Sequence, residues 1–367
     1  MNRHQILPIS MKLFIVGLVV LVAVTGPSSL QAVEEVKTLA ETSTWQKLMD
    51  AGEIAFKLGK YDEAENQFSL AACTEQNTNA NNLHIATSLM RQADACCKEE
   101  RFATAERLYK RALEIREKKL GMNHADVVEV LLKQAWLEDR HRNYLVEEQI
   151  SRRLLDIEEK ASGPGSPKVA IAMKNIAHCM HERAYNLDPQ PAEPRKSSTF
   201  VEAEQLLERA LAICEKAEGQ NSPTATEVLD EQGHMYWLFR YFAKGEQCLK
   251  RALAIRDTYL APNDPSLEGN LTSLIGITGR QSKKADSKWF KRLLAIWEKN
   301  PTAAQSSPNP TSQVISLNNR GVMCLNMGEY KLAESFFIQA LNIQPDYKLC
   351  AENLKIVRNN MKAKGKN

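Results

Sequence analysis

The feature that most constrains this chain is a phrase that its sequence repeats. The strings AERLYKRALEI (105–115), AEQLLERALAI (203–213) and GEQCLKRALAI (245–255) are nearly identical. Seven related copies begin at Ala64, Ala105, Glu147, Ala203, Gly245, Asp286 and Ala333. Successive copies start 41, 42, 56, 42, 41 and 47 residues apart, which indicates one structural unit used in series.

The apolar residues of each copy are spaced to lie on one face of an α-helix. Tyr109, Ala112 and Ile115 show this spacing in the second copy. A second apolar stripe precedes each copy, and turns rich in Gly, Asn, Asp and Pro lie between units. Each unit is therefore predicted to be a helix pair. Because one pair cannot cover its own apolar face, the pairs are predicted to stack on one another.

The overall charge disfavours nucleic acid as a partner. The formal net charge is +3 over 367 residues, with 43 % hydrophobic and 25 % charged residues, as in an ordinary globular protein. A protein that holds phosphate backbones normally has a larger positive excess. We therefore expect a protein or peptide partner and no nucleic acid.

The first 32 residues have the pattern of a secretory signal peptide. Arg3 and Lys12 precede the uncharged run LFIVGLVVLVAV (13–24), and small residues follow it. The run is shorter than the roughly 20 apolar residues of a membrane-spanning helix. We predict a signal peptide over 1–32, cleaved after Ala32, and an exported protein that is periplasmic or secreted. The alternative is an uncleaved anchor, in which residues 13–24 hold the chain at a membrane.

Eight cysteines in an exported chain raise the question of disulfides. They are scattered through helical patterns and none falls in a C-x-x-C motif, which favours buried thiols. The alternative is one or two bridges between helices, with Cys73 to Cys96 or Cys97 as the best candidate.

The units resemble tetratricopeptide repeats. The family's glycine, Gly-x-Tyr turn, alanine and aromatic positions are occupied in the first unit by Gly52, Gly59, Tyr61, Ala64, Phe68 and Ala71, and in the last by Gly321, Gly328, Tyr330, Ala333, Phe337 and Ala340. The middle units, with phrases such as RALEIREKKLGMNHADV, are similar to the kinesin light chain version of the repeat. The resemblance covers residues 45–345.

This resemblance implies an all-α, right-handed solenoid of about seven helix pairs, in which the first helix of each pair lines a concave face. After the array, residues 346–367 are predicted to form a capping helix and a basic tail. Cys350, Leu354, Val357 and Met361 have the spacing of such a helix.

The sequence shows no catalytic motif, since it has no P-loop, no G-x-S-x-G and no H-E-x-x-H. One group of residues still suggests chemistry. His178 and His181 share a helix face, and His234 occupies the place of His178 in the next unit. Such imidazoles hold zinc or copper in many proteins, with Glu182 or Asp230 nearest in register as a further ligand. The simpler interpretation, which we adopt, is a set of polar groove residues with no metal or cofactor.

The candidate partner-binding residues lie on the predicted concave face. They are Trp136, His178, His181, Asp230, His234 and Trp237. The two tryptophans are either interface anchors or residues packed between helices. We predict an exported, non-enzymatic scaffold that presents a groove to a peptide or protein. The alternatives are a metal-binding or enzymatic protein that uses His178, His181 and His234, and a membrane-tethered adaptor.

Overall fold

A computed structural model describes residues 44–76, 82–187, 198–280, 287–300 and 309–364. These residues form fifteen α-helices, one short 3-10 helix (Pro265–Leu267) and no strand. The helices are α1 Thr44–Lys57, α2 Tyr61–Gln76, α3 Asn82–Lys98, α4 Phe102–Leu120, α5 Ala125–Arg140, α6 Tyr144–Ser162, α7 Pro167–Leu187, α8 Ser198–Glu218, α9 Pro223–Leu238, α10 Phe242–Arg256, α11 Glu268–Arg280, α12 Ser287–Lys299, α13 Pro310–Asn326, α14 Tyr330–Ile343 and α15 Lys348–Lys364. The predicted signal peptide (1–32) and anchor run (13–24) lie outside the described residues.

The prediction of an all-α solenoid of helix pairs is confirmed. The odd-numbered helices from α1 to α13 are the first helices of the seven repeats, and the even-numbered helices are the second ones. Six of the seven copies of the repeated phrase lie within a second helix, and those of α2, α4, α6, α10 and α14 begin three residues after the first residue of the helix.

The chain divides into two compact units, Met1–Ala95 and Cys96–Asn367. In the first unit, Phe68 of α2 is fully buried in a small core with Met49 and Ala55 of α1. Arg91 of α3 donates two hydrogen bonds of 2.5 Å to the carboxylate of Glu53 of α1. The apolar core and this charged pair hold the helices of the first unit together.

In the second unit, small residues sit where neighbouring helices approach closely. Ala112 of α4 and Ala210 of α8 are fully buried, as the repeat pattern requires. The first residue of the repeated phrase is also a buried alanine in these two helices, Ala105 in α4 and Ala203 in α8. The repeat is thus visible in the packing, because the same helix face is covered each time.

Glycines in the first helices allow the closest approaches. A Cβ atom added at Gly321 of α13 would lie 2.5 Å from the Phe337 ring of α14, and one at Gly52 would lie 2.4 Å from the Phe68 ring. Real Cβ atoms do not come so near to other heavy atoms, so any larger residue at these positions would force the ring or the helix to shift.

The turn inside a repeat has the same hydrogen bonds at several places. In the third repeat, the Asn143 N–H donates to the carbonyl of Glu138 and the Arg142 N–H donates to Asp139. This pair of bonds defines a Schellman motif, which needs one residue with a left-handed backbone. That residue is glycine in the first and last repeats (Gly59 and Gly328), but it is Glu100, Arg142 or Arg240 in three middle repeats, with φ between 56° and 63°.

The last helix, α15, buries the stripe that the sequence predicted. Cys350 and Val357 are fully buried and belong to the same apolar cluster as Phe336 and Phe337 of α14. Met361 is partly buried at its edge. None of the described helices has the length and the apolar run that a membrane crossing requires.

None of the eight cysteines, all of which lie in the described residues, forms a disulfide. Cys96, Cys179, Cys214, Cys324 and Cys350 are buried, and Cys73 is exposed. Burial raises the pKa of the Cys324 thiol to about 12, so that this group stays protonated and inert at neutral pH. The structure therefore has buried thiols and no bridge from Cys73 to Cys96 or Cys97.

Candidate functional site

The predicted histidines lie on two neighbouring first helices, α7 and α9. His178 and His234 occupy equivalent positions of their repeats, 56 residues apart, and His181 follows His178 by one helical turn. Each ring contacts the other two, with ring centroids 5.4 to 6.4 Å apart. The structure thus brings together all three imidazoles that the sequence placed in register.

A carboxylate that the sequence analysis did not choose lies at the centre of these rings. Oε1 of Glu231 lies 2.6 Å from His181 Nε2, 3.0 Å from His178 Nδ1 and 3.8 Å from His234 Nδ1. We call His178, His181, Glu231 and His234 the histidine cluster. One nitrogen or oxygen from each of the four lies within 4.8 Å of those of the other three, so that the cluster has the composition and the spacing of a metal-ligand set.

Two more carboxylates face the outer nitrogens of the same rings. Asp139 Oδ1 of α5 lies 3.3 Å from His178 Nε2. Glu182 Oε1 lies 3.6 Å from His234 Nε2 and 4.0 Å from His181 Nδ1. Tyr144 of α6 donates a hydrogen bond of 3.3 Å to the other oxygen of Glu182 and so holds this carboxylate in place.

The exposed fraction of the side chain differs among the histidines of the cluster. The side chain of His181 has 0 % of its surface exposed, whereas that of His234 has 41 %. The Nδ1 atom of His181 is buried and has no hydrogen-bond partner. The group is therefore open to solvent through His234 and closed at His181.

The charges of the cluster depend on one another. Burial works against the charged form of Glu231, yet hydrogen bonds from His178 and His181, together with the nearby ring of His234, hold its pKa well below the ordinary value. Burial would lower the pKa of His178, but hydrogen bonds with Asp139 and Glu231 outweigh it and raise the pKa to about 11. Burial lowers the pKa of His181 in spite of Glu231.

Glu147 adds a further acidic group beside His178. It occupies a position where four of the seven copies have alanine, and it is buried on α6. Together with Asp139 and His178 it forms a second set of close ligand atoms. Burial raises the pKa of Glu147 to about 7, although the charge of His178 opposes this. A departure from the repeat pattern thus points to the same place as the histidines.

Asp230, which the sequence placed near the three histidines in register, is not part of the histidine cluster. Its carboxylate accepts a hydrogen bond of 2.6 Å from Arg256 of α10 and one of 2.7 Å from Asn270 of α11. Adjacent residues of a helix differ by about 100° in direction, so Asp230 points toward α10 and α11 while Glu231 points to the histidines. Asp230 therefore links three helices.

The tryptophans are exposed on either side of the histidine cluster. Trp136 of α5 is 46 % exposed and Trp237 of α9 is 36 % exposed. The Trp237 ring stacks on His234 with centroids 6.2 Å apart. Trp136 contacts Phe102 edge-on, and the Arg140 guanidinium lies over its ring. Large parts of both indoles thus remain free to meet another molecule.

Comparison with known families gives matches to the tetratricopeptide repeat at residues 84–156, 200–224 and 315–347. The chain contains tetratricopeptide repeats in these three segments. The matched segments fall in the N-terminal, middle and C-terminal parts of the array that the sequence predicted. A search of curated proteins gave no match.

Solved structures of other proteins resemble this one in fold. The apo form of RapI is 12 % identical with a TM-score of 0.56, and the match covers 88 % of this chain and all of RapI. A tetratricopeptide repeat protein from Parabacteroides merdae is 15 % identical with a TM-score of 0.50, covering 86 % and 98 % of the two chains.

The repeats also resemble those of kinesin light chains. A structure of kinesin light chain TPR-like repeats from Podospora anserina is 15 % identical with a TM-score of 0.48, and the match covers 59 % of this chain and 97 % of that one.

Proposed function

We propose that the protein is an exported, non-enzymatic scaffold that binds a peptide or protein through its first helices. The observation behind the proposal is the pair of exposed indoles, Trp136 and Trp237, on first helices two repeats apart. Tryptophan is the residue type most often found to dominate binding energy at protein interfaces. The nearly neutral charge of the chain supports a protein partner over nucleic acid.

The array of repeats supports a scaffold over an enzyme. Stacked helix pairs offer an extended surface, and no catalytic motif stands in the sequence. The family contains proteins with unrelated partners, so the fold leaves open which peptide or protein is bound.

The indoles provide the test of this proposal. The tagged full-length chain is crosslinked in its native cells, and captured proteins are compared with those of Trp136→Ala and Trp237→Ala. We expect a partner that the wild type captures and the variants lose, with a dissociation constant raised about 30-fold in a purified system. Leu145→Ala, which removes an exposed apolar side chain from the second helix α6, is the matched control. Equal capture by all four chains would contradict the proposal.

Export rests on the N-terminal sequence and has a separate test. The mature protein is purified from the exported fraction and its N-terminal peptide is identified by mass spectrometry. A chain that begins at Val33 supports a cleaved signal peptide. A membrane fraction that retains residues 13–24 supports the tethered adaptor instead.

A further inference from the structure

The three imidazoles of the histidine cluster all direct one nitrogen at the same point. These atoms are Nδ1 of His178, Nε2 of His181 and Nδ1 of His234, and the point is Oε1 of Glu231. Such convergence is unusual on a helical surface, where polar side chains normally turn toward water. It gives three nitrogen atoms and one carboxylate oxygen in a single small volume.

The spacing of these atoms fits a tetrahedral metal ion. Zinc binds imidazole nitrogen and carboxylate oxygen at about 2.0–2.2 Å, which sets its tetrahedral ligand atoms about 3.3–3.6 Å apart. The three distances from Glu231 Oε1 to the ring nitrogens, 2.6, 3.0 and 3.8 Å, lie on both sides of this value. Small rotations of the half-exposed His234 and of Glu231 are enough to admit an ion.

The second nitrogen of each ring faces a carboxylate. Asp139 lies beside His178 Nε2, and Glu182 lies beside both His234 Nε2 and His181 Nδ1. Metal-bound histidines typically donate their other N–H to a carboxylate, which fixes the tautomer and the ring orientation. With Nε2 of His181 on the metal, the proton of this ring would lie on the buried Nδ1, which is 4.0 Å from Glu182 Oε1.

The charge around the cluster also favours a cation. Four carboxyl groups, Asp139, Glu147, Glu182 and Glu231, stand close to three imidazoles. Metal ligation requires neutral imidazoles, and in that state none of the three rings offsets the charge of these carboxylates. A divalent cation supplies the missing positive charge where the nitrogens converge.

We propose that the histidine cluster is a zinc site, with His178 Nδ1, His181 Nε2, His234 Nδ1 and Glu231 Oε1 as the ligands. Imidazole and carboxylate ligands suit zinc, and the exposed edge of His234 is the route by which the ion enters. The ion joins α7 to α9, which belong to successive repeats, and so makes this part of the stack more rigid next to the exposed Trp237.

The test measures metal binding directly. The full-length chain is freed of metal with a chelator and titrated with Zn²⁺ against a chromophoric competitor, and in parallel with Co²⁺ as an optical probe of coordination. We expect one Zn²⁺ per chain and Co²⁺ bands of tetrahedral intensity. In His234→Ala and in Glu231→Gln, the affinity for Zn²⁺ falls at least tenfold.

The controls separate a ligand effect from misfolding. His124→Asn removes an exposed imidazole outside the cluster and keeps an acceptor at the start of α5, where His124 Nδ1 accepts from the Asp126 N–H. It is expected to bind Zn²⁺ as the wild type does, and the metal-free variants are expected to keep their helical circular dichroism. The proposal is overturned if the wild type binds no stoichiometric Zn²⁺. It is also overturned if folded His234→Ala and Glu231→Gln bind Zn²⁺ as tightly as the wild type. The histidine cluster would then be a network of hydrogen bonds and ion pairs without a metal.

Discussion

At the scale of single residues, the turns of the middle repeats contain a strain that the first and last repeats avoid. Arg240 has a φ of 63° in the same turn position where Gly328 has 79°. A residue with a Cβ atom is disfavoured in this conformation by about 1–2 kcal/mol. Glycine adopts it freely, at the cost of a more flexible unfolded chain.

We predict that Arg240→Gly stabilises the protein by roughly 0.5–1 kcal/mol, which is the relief of strain less the entropy gained by the unfolded chain. The measurement is the free energy of unfolding in urea. The reverse change, Gly328→Arg, is the matched control and is expected to destabilise. A loss of stability in Arg240→Gly would show that the arginine side chain stabilises the folded protein by more than the strain of its left-handed backbone destabilises it.

The repeat pattern predicts some residues of the histidine cluster and not others. The repeat offset placed His178, His181 and His234 together, because it fixes which residues are equivalent. It did not distinguish Glu231 from Asp230, since neighbouring residues of a helix point about 100° apart and the exact rotation of α9 depends on its packing. Glu147 had a signal in the sequence, because it is an acidic residue at a position that holds alanine in four of the seven copies.

At the scale of helices, close contact between the two members of a pair depends on glycine. Gly321 of α13 lies against the ring of Phe337, which is fully buried on α14. The Gly→Ala change normally stabilises a helix interior by up to about 1 kcal/mol. Here the added methyl group would overlap the ring, so packing and helix propensity act in opposite directions.

We predict that Gly321→Ala destabilises the last repeat by about 1–3 kcal/mol, as overpacked cores do. Gly276→Ala in α11, where a Cβ atom meets nothing within 4 Å, is the matched control and is expected to be neutral or stabilising. Thermal unfolding followed by circular dichroism measures both. Equal effects of the two changes would mean that α13 moves away from Phe337 at little cost.

The helix pairs themselves were predictable because the same apolar pattern occurs in seven copies, although any one copy alone is a weak indication of a helix. A single apolar stripe such as that around Tyr109 is weak, but seven stripes in register define the helices and their buried faces. The left-handed residues Glu100, Arg142 and Arg240 were not predicted. Their side chains are not those that favour such turns, and the hydrogen bonds of the helix end impose the conformation.

At the scale of the whole molecule, the architecture can be predicted from the sequence far better than the binding partner can. Each repeat buries its face against the next, so the fold follows from local pattern and stacking alone. The partner depends on a few exposed side chains, such as Trp136 and Trp237, which the repeat leaves free to vary.

The stack also has to end, and α15 covers its last apolar face. Leu354 and Val357 of this helix pack in the cluster that contains Phe336 and Phe337 of α14. Burial of one leucine and one valine contributes roughly 3–6 kcal/mol. Without α15, that face of the last repeat would meet water.

We predict that a chain ending at Pro345 forms aggregates, because the apolar face of α14 becomes available to a second molecule. A chain ending at Lys362 keeps Leu354, Val357 and Met361 and is expected to remain in the state of the full-length protein. Light scattering coupled to size-exclusion chromatography measures the particle mass of each, and amide hydrogen exchange reports opening of α13 and α14. If the shorter chain matches the full-length protein in both measurements, the last repeat is stable by itself and α15 is no cap.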